Sequence, residues 1–289
     1  MQGFKNLNEM YWYLLADLDS EGLEVSSRGS NQKEKIYVQC GFNDPTDLQV
    51  LYPSRKFNQE YAMTEWLWYC SLDSNVKNIG KLAQLWKRIS DDNNHVESNY
   101  GPYFFNPINQ PHFQGSQWEW VKEELINDPD SRRASIVINQ PYHKGKNPLD
   151  VPCTQYVQFF IRQNKLHLGV SMRSNDIVYG LTNDAFTFSL FQQMMYNELK
   201  LKMPDLELGT YNHFAGSMHV YEMHYEMASK ILSESEYINE KTDRKFKLKE
   251  DITWNVMMKD INPKSKLIAD SPKDEILEYV KEKEKELFE

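Results

Sequence analysis

The sequence has few of the residues that interrupt regular structure, and it has no long apolar run. Glycine and proline number 12 each among 289 residues, which is below their usual combined share of about 12 %. This shortage excludes collagen-like and low-complexity classes. No stretch of about 18 consecutive apolar residues occurs, and mean hydropathy is −0.70. The sequence therefore predicts no transmembrane helix.

Positive charge is also scarce. The chain has 33 Lys and Arg residues against 42 Asp and Glu, a formal net charge of −9. Proteins that bind duplex nucleic acid normally carry a basic surface, so this acidic balance argues against that class. Apolar residues make up 40 % of the chain and aromatics 13 %, which is enough for the core of one large domain. No Pro/Gly/Ser-rich linker divides the sequence, so we expect a single domain.

Cysteine is limited to three positions, Cys40, Cys70 and Cys153. An odd number of cysteines, together with an N-terminus that lacks the pattern of a signal peptide, predicts free thiols in a reducing cytoplasm. The spacings fit no zinc pattern. His213, His219 and His224 do not form a metal-ligand pattern either. We therefore expect no metal, and a thiol with a function would act as a nucleophile.

Hydrophobic periodicity predicts an alternation of helices and strands. We expect a strand at 36–40, and TEWLWYCSL (64–72) is densely apolar around one carboxylate. The segment 213–232 begins as a strand or loop and continues as a helix. The other expected elements are an amphipathic helix over 4–19, a polar loop over 23–33, a strand at 134–139, a hairpin over 154–174 that turns at Gln163-Asn164, a buried helix over 184–200 with Met194-Met195 as core filling, and a charged tail whose helix lies on the solvated surface.

Two polar segments interrupt the apolar pattern. Cys153 follows Pro152 at the start of a predicted strand, although a free cysteine is more often a small buried apolar residue. Residues 173–176, Arg-Ser-Asn-Asp, lie between a strand and a core helix, where polar groups need partners or a ligand. Arginine presents a fork of donors suited to phosphate, and Arg132-Arg133 adds a second pair. Together they predict a phosphorylated substrate beside a nucleophile.

Two carboxylates are further candidates. Glu65 lies among Trp66, Trp68 and Tyr69, where loss of water would raise its pKa towards neutrality and suit it to proton transfer. The alternative is a glutamate on the exposed side of a helix. Asp184 could read a substrate, or it could be a helix-start carboxylate favoured by the helix dipole. His219 and Tyr221 alternate on a predicted strand and suit hydroxyl contacts with a sugar.

These residues, taken at their spacings, resemble thymidylate synthase. The resemblance extends from about residue 5 to 255. It includes the arginine-pair motif at 128–133 and the glutamate segment at 65–68. It also includes Pro152-Cys153, Gln158, Arg173-Ser174, Asp176, Gly180-Leu181, Gly216 and His219-Val220-Tyr221.

The departures from that family are informative. Asp184 stands where thymidylate synthases carry the asparagine that reads uracil. Thr154 replaces a histidine, Ser217 replaces an aspartate, and the conserved C-terminal tail is absent. The chain is similar in all four respects to the deoxycytidylate hydroxymethylase branch found in phages. A carboxylate suits cytosine because it accepts hydrogen bonds from the N4 amino group and from N3 once N3 is protonated.

The resemblance implies an α+β fold, a single domain with a large mixed sheet packed by helices. It places the catalytic domain at 1–262 and a charged helical tail at 263–289. It also implies a homodimer in which Arg132 and Arg133 reach the partner's site. The implied catalytic residues are Cys153, Glu65 and Asp184. The implied substrate-binding residues are Arg28, Arg132, Arg133, Gln158, Arg173, Ser174, Asp176, His219 and Tyr221, and the implied folate-binding residues are Trp86, Tyr100 and Asp176.

The activity implied by the resemblance is transfer of a one-carbon unit from 5,10-methylenetetrahydrofolate to C5 of dCMP, with water supplying the hydroxyl. Three alternatives stay open. One is a dCMP methylase, in which folate delivers hydride. Another is a hydroxymethylase for the ribonucleotide CMP. The third is a non-catalytic RNA-binding or scaffold protein with the same fold, against which Cys153, Glu65 and Arg173 count.

Overall fold

An eight-stranded mixed sheet organises the part of the chain described by the computed structural model, which comprises residues 2–27, 29–241, 243–261, 267 and 269–289. The main path of strands runs β1-β3-β8-β6-β5-β4, with β2 paired to β3 and β7 paired to β8. The β1–β3, β6–β8 and β7–β8 pairs are parallel, and the others are antiparallel. The strands are β1 (Gln2–Phe4), β2 (Leu23–Ser27), β3 (Ser30–Phe42), β4 (Ser135–Val137), β5 (Thr154–Arg162), β6 (Lys165–Met172), β7 (Asn175–Asp176) and β8 (Glu207–Tyr221).

Helices cover one face of this sheet. Along β5 and β6 the residues that face them alternate with half-exposed residues on the other face, as expected for a sheet packed on one side. The α-helices are α1 (Leu7–Glu21), α2 (Gln59–Ser71), α3 (Ile79–Leu82), α4 (Gln84–Ile89), α5 (Gly101–Phe105), α6 (Gln117–Asn127), α7 (Gly180–Lys200), α8 (Tyr225–Ser233), α9 (Trp254–Val256) and α10 (Lys273–Leu287). The predicted α+β fold, a single domain around a mixed sheet, is confirmed.

The central helix α7 is buried on nearly all sides, as predicted from its apolar sequence. Met194 and Met195 have no exposed surface and fill the core. The hairpin between β5 and β6 is also confirmed. Gln163 and Asn164 both have positive φ, 52° and 59°, which is the geometry of the tight turn that connects twisted antiparallel strands.

Two predictions about the N-terminal region are wrong. Residues 23–27 and 30–33 form the paired strands β2 and the start of β3, where the sequence predicts a polar loop. This hairpin is exposed on both faces at most positions, so it lacks the apolar alternation by which a strand is recognised in a sequence. The first helix begins at Leu7, with Asn6 as its N-cap, because Phe4 belongs to β1 and pairs with β3.

The charged tail forms α10, and one side of this helix is part of the core. Ile276 and Val280 are fully buried, and the helix packs against α2. The expectation of a solvated surface helix therefore fits only its outer side. Leu248 and Phe288 then form an antiparallel bridge. Tail residues 263–266 and 268 lie outside the described part of the chain. None of the described helices is long and apolar enough to span a membrane.

The other face of the sheet exposes large side chains in the described part of the chain. Ile36, Tyr37, Val137 and Tyr156 are each more than two-fifths exposed. Tyr37 has a φ of 57° and lies opposite Gly216, and neither residue is paired although the register is the same on both sides, between Ile36 and Val38. The Tyr37 ring stacks on Phe214 of β8.

Candidate active site

Cys153 lies immediately before β5 and is half-buried. Arg173, at the end of β6, fixes the backbone around it. The Arg173 N–H donates to the Cys153 carbonyl at 2.8 Å. Its guanidinium donates to the carbonyl oxygens of Pro152 at 3.1 Å and Val151 at 2.6 Å. These three bonds from Arg173 fix the backbone from Val151 to Cys153, so Cys153 has a defined position at the end of the sheet.

Gly216 of β8 allows Arg173 to pass close to the sheet. A Cβ at this position would lie 2.9 Å from the Arg173 carbonyl oxygen, which is closer than real side chains tolerate. The neighbouring Ser217 N–H donates to the same oxygen at 3.1 Å. The Gly216–Arg173 match to the family motif therefore has a local steric cause.

Glu65 lies on α2 with 7 % of its surface exposed. The hydroxyls of Tyr61 and Tyr69, one helical turn before and after it, both donate to its Oε1 at 3.3 Å. Trp86 Nε1 donates to the Tyr61 hydroxyl at 2.9 Å. Because indole N–H can only donate, the Tyr61 hydrogen is directed onward to Glu65. Burial, together with the charge of Asp184, raises the pKa of Glu65 to about 8, as predicted from its aromatic surroundings.

Asp184 is the fifth residue of α7, beyond the first turn, so its interpretation as a helix-start carboxylate is wrong. Asn175 Nδ2 donates to Asp184 Oδ2 at 2.7 Å. Burial raises the pKa of Asp184 to about 7; the charge of Asp176 adds to this effect, and the bond from Asn175 opposes it. A carboxyl group with this pKa can exchange a proton near neutral pH.

Two buried tyrosines, Tyr69 and Tyr100, lie within electrostatic range of the residues predicted to be catalytic. Burial raises the pKa of Tyr69, and the charges of Glu65 and Asp184 raise it further. Burial likewise raises the pKa of Tyr100, and the charges of Cys153 and Asp184 raise it further. Tyr100 also lies beside Thr154. Asp184 therefore lies within electrostatic range of both tyrosines, Glu65 within range of Tyr69, and Cys153 within range of Tyr100. Trp86 and Tyr100, the aromatic residues predicted to bind folate, border this cluster.

Asp176 holds the turn that leads into α7. Its carboxylate accepts the backbone N–H groups of Val178 at 3.1 Å, Tyr179 at 2.9 Å and Gly180 at 3.4 Å. A carboxylate has about four lone-pair sites, so Asp176 retains capacity for a ligand. Its strand partner across β7 and β8 is His219.

His219 and Tyr221 lie on the same side of β8, as predicted, with ring centroids 4.8 Å apart. Burial lowers the pKa of His219, while the charges of Asp176 and Glu34 oppose that shift. The hydroxyl of Ser217 donates to Glu34 at 2.5 Å. The hydroxyl hydrogen of Ser217 is therefore already used in a hydrogen bond within the protein.

The other residues predicted to bind substrate differ in their exposure and in their partners. Arg132 and Arg133 are exposed, and Arg133 pairs with Glu124 at 2.8 Å. Gln158 points to the uncovered side of the sheet and donates to the Arg132 carbonyl at 2.8 Å. Ser174 lies in the bend after β6 and is half-buried. Arg28 lies outside the described residues.

Some residues of the site were missed at the sequence level. Tyr61 and Tyr69 could have been found, because residues four apart share a helix face. Arg55 had no sequence signal. It is 3 % exposed, donates to Thr182 Oγ1 at 2.7 Å and lies over the Tyr179 ring. Within the described residues, no group of three or more His, Cys, Asp or Glu side chains is arranged to hold a metal ion.

Comparison with known proteins identifies the family of this site. The family model described as thymidylate synthase matches residues 9–266. The chain belongs to the thymidylate synthase family. It is accordingly an enzyme of the one-carbon transferase type. Its fold is similar to that of the thermostable thymidylate synthase A from Bacillus subtilis, with a TM-score of 0.65 and 21 % identity over 78 % of this chain and 84 % of that one.

Two phage relatives of this chain differ in the base that their names contain. The deoxycytidylate 5-hydroxymethyltransferase of Enterobacteria phage T6 is 31 % identical over 175 residues, covering 58 % of this chain and 69 % of the relative. The deoxyuridylate hydroxymethyltransferase of Bacillus phage SP01 is 27 % identical over 227 residues, covering 74 % of this chain and 56 % of the relative. The choice of base in this chain therefore has to be argued from its own site.

Proposed function

We propose that this protein is a deoxycytidylate hydroxymethyltransferase, which converts dCMP, 5,10-methylenetetrahydrofolate and water to 5-hydroxymethyl-dCMP and tetrahydrofolate. The observation that carries the proposal is the carboxyl group of Asp184, which lies within electrostatic range of Glu65 and of Tyr100, the tyrosine that is also within range of Cys153. An amide at this position would offer one donor and one acceptor, which matches uracil. A carboxylate offers only acceptors, which matches the N4 amino group and protonated N3 of cytosine.

Cys153 acts as the nucleophile in this proposal. Its thiolate forms a bond to C6 of the base, and electron density moves through the ring towards N3. Asp184, with a pKa of about 7, supplies or shares the proton at N3 as that negative charge develops. Its contact with the base is therefore strongest in the transition state, which is the condition for accelerating the reaction. C5 becomes nucleophilic and can accept the one-carbon unit.

Glu65 is proposed to move protons around C5 and the new exocyclic carbon. Its Oε1 is held by Tyr61 and Tyr69, and a pKa of about 8 allows it to carry a proton at neutral pH. The C5 proton is lost to this network and tetrahydrofolate departs, which leaves an exocyclic methylene on the covalent adduct. Water adds to that carbon, and its proton is taken up by the same network. The bond between Cys153 and C6 then breaks, which restores the aromatic ring and the thiolate.

The co-substrate 5,10-methylenetetrahydrofolate supplies the methylene carbon. The residues present suit a flat heteroaromatic molecule with polar edges. Trp86 donates to Tyr61 of the Glu65 network, and the Tyr100 ring lies 5.1 Å from the Tyr69 ring; both rings keep only a small exposed edge. Asp176 offers carboxylate oxygens just before α7. We propose these three residues as the folate contacts. They would orient the donor carbon towards C5 and exclude bulk water.

The phosphate is proposed to bind Arg173 and Ser174 of one chain and the arginine pair of a second chain. Arg132 and Arg133 lie at the edge of the sheet, beside the uncovered face that exposes Ile36, Tyr37 and Tyr156. Packing that face against a second copy would bury these side chains. Such a homodimer would place the arginine pair near the partner's Arg173.

The product, the sugar preference and the catalytic role in this proposal can each be tested separately. A dCMP methylase would share the binding of the base and differ only in the fate of the methylene. A CMP hydroxymethylase would differ only at the sugar, near His219 and Tyr221. A scaffold protein with this fold would carry out neither step, although Cys153, Glu65 and Asp184 are all retained.

The test uses dCMP, dUMP and CMP, each carrying tritium at C5, with and without methylenetetrahydrofolate. We expect folate-dependent release of tritium from dCMP at the highest kcat/KM, and a product whose mass equals that of 5-hydroxymethyl-dCMP. Preferred release from dUMP would contradict the assignment of the base. No release from any of the three would contradict the enzymatic role.

A further inference from the structure

Asn175 and Asp184 join the end of the sheet to the first turns of α7. Asn175 lies in β7 as the register partner of Met218 in β8, and it is 3 % exposed. Its Nδ2 lies 2.7 Å from Asp184 Oδ2, within the range of a strong charge-assisted hydrogen bond. The bond spans the turn that Asp176 holds by accepting three backbone N–H groups.

Gly180 lies close to this hydrogen bond. A Cβ on Gly180 would lie 3.1 Å from Asn175 Nδ2 and 3.6 Å from Asp184 Oδ2, so a side chain at that position would press on the pair. Asn175 Oδ1, the other end of the amide, is buried and accepts no hydrogen bond from any described residue. A buried acceptor without a donor costs free energy. The side chain of Asn175 makes one hydrogen bond to a described residue, the bond to Asp184. We infer that this bond is the reason for an amide at this position.

We propose that Asn175 is a positioning residue that holds Asp184 in the form and orientation that read cytosine. This inference rests on the proposed function. The amide donates a hydrogen to Oδ2, so Oδ2 is an acceptor and any proton on Asp184 resides on Oδ1. The bond also favours the ionised carboxylate over the neutral acid, since a donor stabilises negative charge.

The proton on Asp184 matters because it decides which carboxyl oxygen donates to the base. A protonated carboxyl group has one donor and one acceptor. With Oδ2 held as an acceptor, Oδ1 is the donor, and this fixed order matches cytosine, whose N3 accepts and whose N4 amino group donates, and opposes uracil, whose N3–H donates and whose O4 accepts. Asn175 therefore acts on base selection without touching the base, by fixing which oxygen of Asp184 carries the proton.

Several titratable groups surround Asp184 and affect whether its carboxyl group is protonated. Glu65, Tyr61 and Tyr69 approach from α2, Tyr100 from the start of α5, Tyr211 from β8 and Asp176 from β7. The charge of Asp176 acts in the opposite direction to the bond from Asn175. Asn175 differs from these titratable groups because it donates a short hydrogen bond to the Asp184 carboxylate.

The test compares Asn175→Ala and Asn175→Asp with the wild-type protein. The alanine variant removes the bond, and the aspartate variant keeps the size of the side chain but replaces the donor by a second carboxyl group. The matched control is Asn197→Ala, because Asn197 is also a buried amide but donates to the backbone carbonyls of Lys249 and Ile252. This control separates the loss of a buried amide from the loss of the contact with Asp184.

The first measurement is the titration of the Asp184 carboxyl carbon by NMR, assigned by its disappearance in Asp184→Asn. We expect the midpoint to rise from about 7 in both Asn175 variants and to stay in place in Asn197→Ala. An unchanged midpoint in folded Asn175→Ala and Asn175→Asp would overturn the proposal. This measurement needs no substrate, so it stands even if the proposed function fails.

The second measurement is the ratio of kcat/KM for dCMP over dUMP as a function of pH. In the wild type we expect this ratio to be highest where Asp184 is protonated and to fall as Asp184 ionises, because N3 of neutral cytosine then loses its donor. In Asn175→Ala the proton can occupy either oxygen, so the ratio below the titration midpoint should fall on the order of tenfold. Asn197→Ala should keep the wild-type profile. A shifted titration with an unchanged ratio would overturn the role in base selection, while an inactive wild-type protein would contradict the proposed function.

Discussion

Glu65 of α2 and Asp184 of α7 face the same site, and the negative charge of Asp184 adds to burial in raising the pKa of Glu65 to about 8. The pKa of Asp184 itself is raised to about 7. Two carboxyl groups in one desolvated site cannot both ionise without cost. At neutral pH the pair therefore retains protons that isolated carboxyl groups would have lost. A site that reads and protonates a base can use protons held in this way.

This relationship predicts how stability depends on pH. The pKa of Glu65 is raised from 4.5 to about 8 on folding, so between these values the folded state binds more protons than the unfolded state. The free energy of unfolding must then fall as pH rises through that range. Glu65→Gln removes this contribution and should flatten the decline. Urea unfolding from pH 5 to pH 8 measures it, with exposed Glu24→Gln as the control for loss of one charge.

A second prediction concerns the nucleophile. Cys153→Ser should abolish turnover and tritium release, because the hydroxyl is a far weaker nucleophile than the thiolate. Binding of dCMP should be retained, since the bonds from Arg173 to Pro152 and Val151 do not involve the sulfur. Fully buried Cys40→Ala serves as the control and should lower stability while leaving release in place. Substantial release by Cys153→Ser would exclude a covalent mechanism.

A third prediction concerns the base. Asp184→Asn replaces an acceptor-only group by one donor and one acceptor, so preference should move from dCMP towards dUMP. Sites that use buried hydrogen bonds reject mismatched partners strongly. The measurement is the dCMP/dUMP ratio of kcat/KM in the variant and the wild type. If the asparagine variant kept the full wild-type ratio, the base would have to be read elsewhere.

A fourth prediction concerns the arginine pair and the homodimer. If Arg132 acts in the partner's site, Arg132→Ala and Cys153→Ser should each be inactive, but mixed dimers should contain one intact site. Random exchange of subunits would restore about a quarter of the wild-type sites. The measurement is tritium release after the two variants are mixed, unfolded and refolded together. Absence of recovery, with hybrid dimers shown to form, would place Arg132 outside the partner's site.

Much of the fold could be predicted because the buried elements carry strong patterns. The apolar sequence of α7 and the Gln163-Asn164 turn each specify a local structure that the core then stabilises. The β2–β3 hairpin could not be predicted. Its strands are held by backbone pairing and are exposed on both faces, so burial left no alternation in their side chains.

The site was predictable in part for a similar reason. Cys153 and Asp184 stand out as polar residues at fixed spacings in apolar surroundings. The bond from Asn175 to Asp184 depends on where β7 meets α7, which the local sequence does not specify. The burial of one side of α10 was also missed, since Ile276 and Val280 form a thin stripe in a segment rich in Lys and Glu.

The fate of the one-carbon unit tests the central claim most directly. The protein is incubated with dCMP and methylenetetrahydrofolate in water enriched in heavy oxygen, and the nucleotide product is analysed by mass spectrometry. We predict 5-hydroxymethyl-dCMP that carries one heavy oxygen atom, formed together with tetrahydrofolate. Formation of unlabelled 5-methyl-dCMP together with dihydrofolate would contradict the account, because hydride rather than water would then have reached the exocyclic carbon.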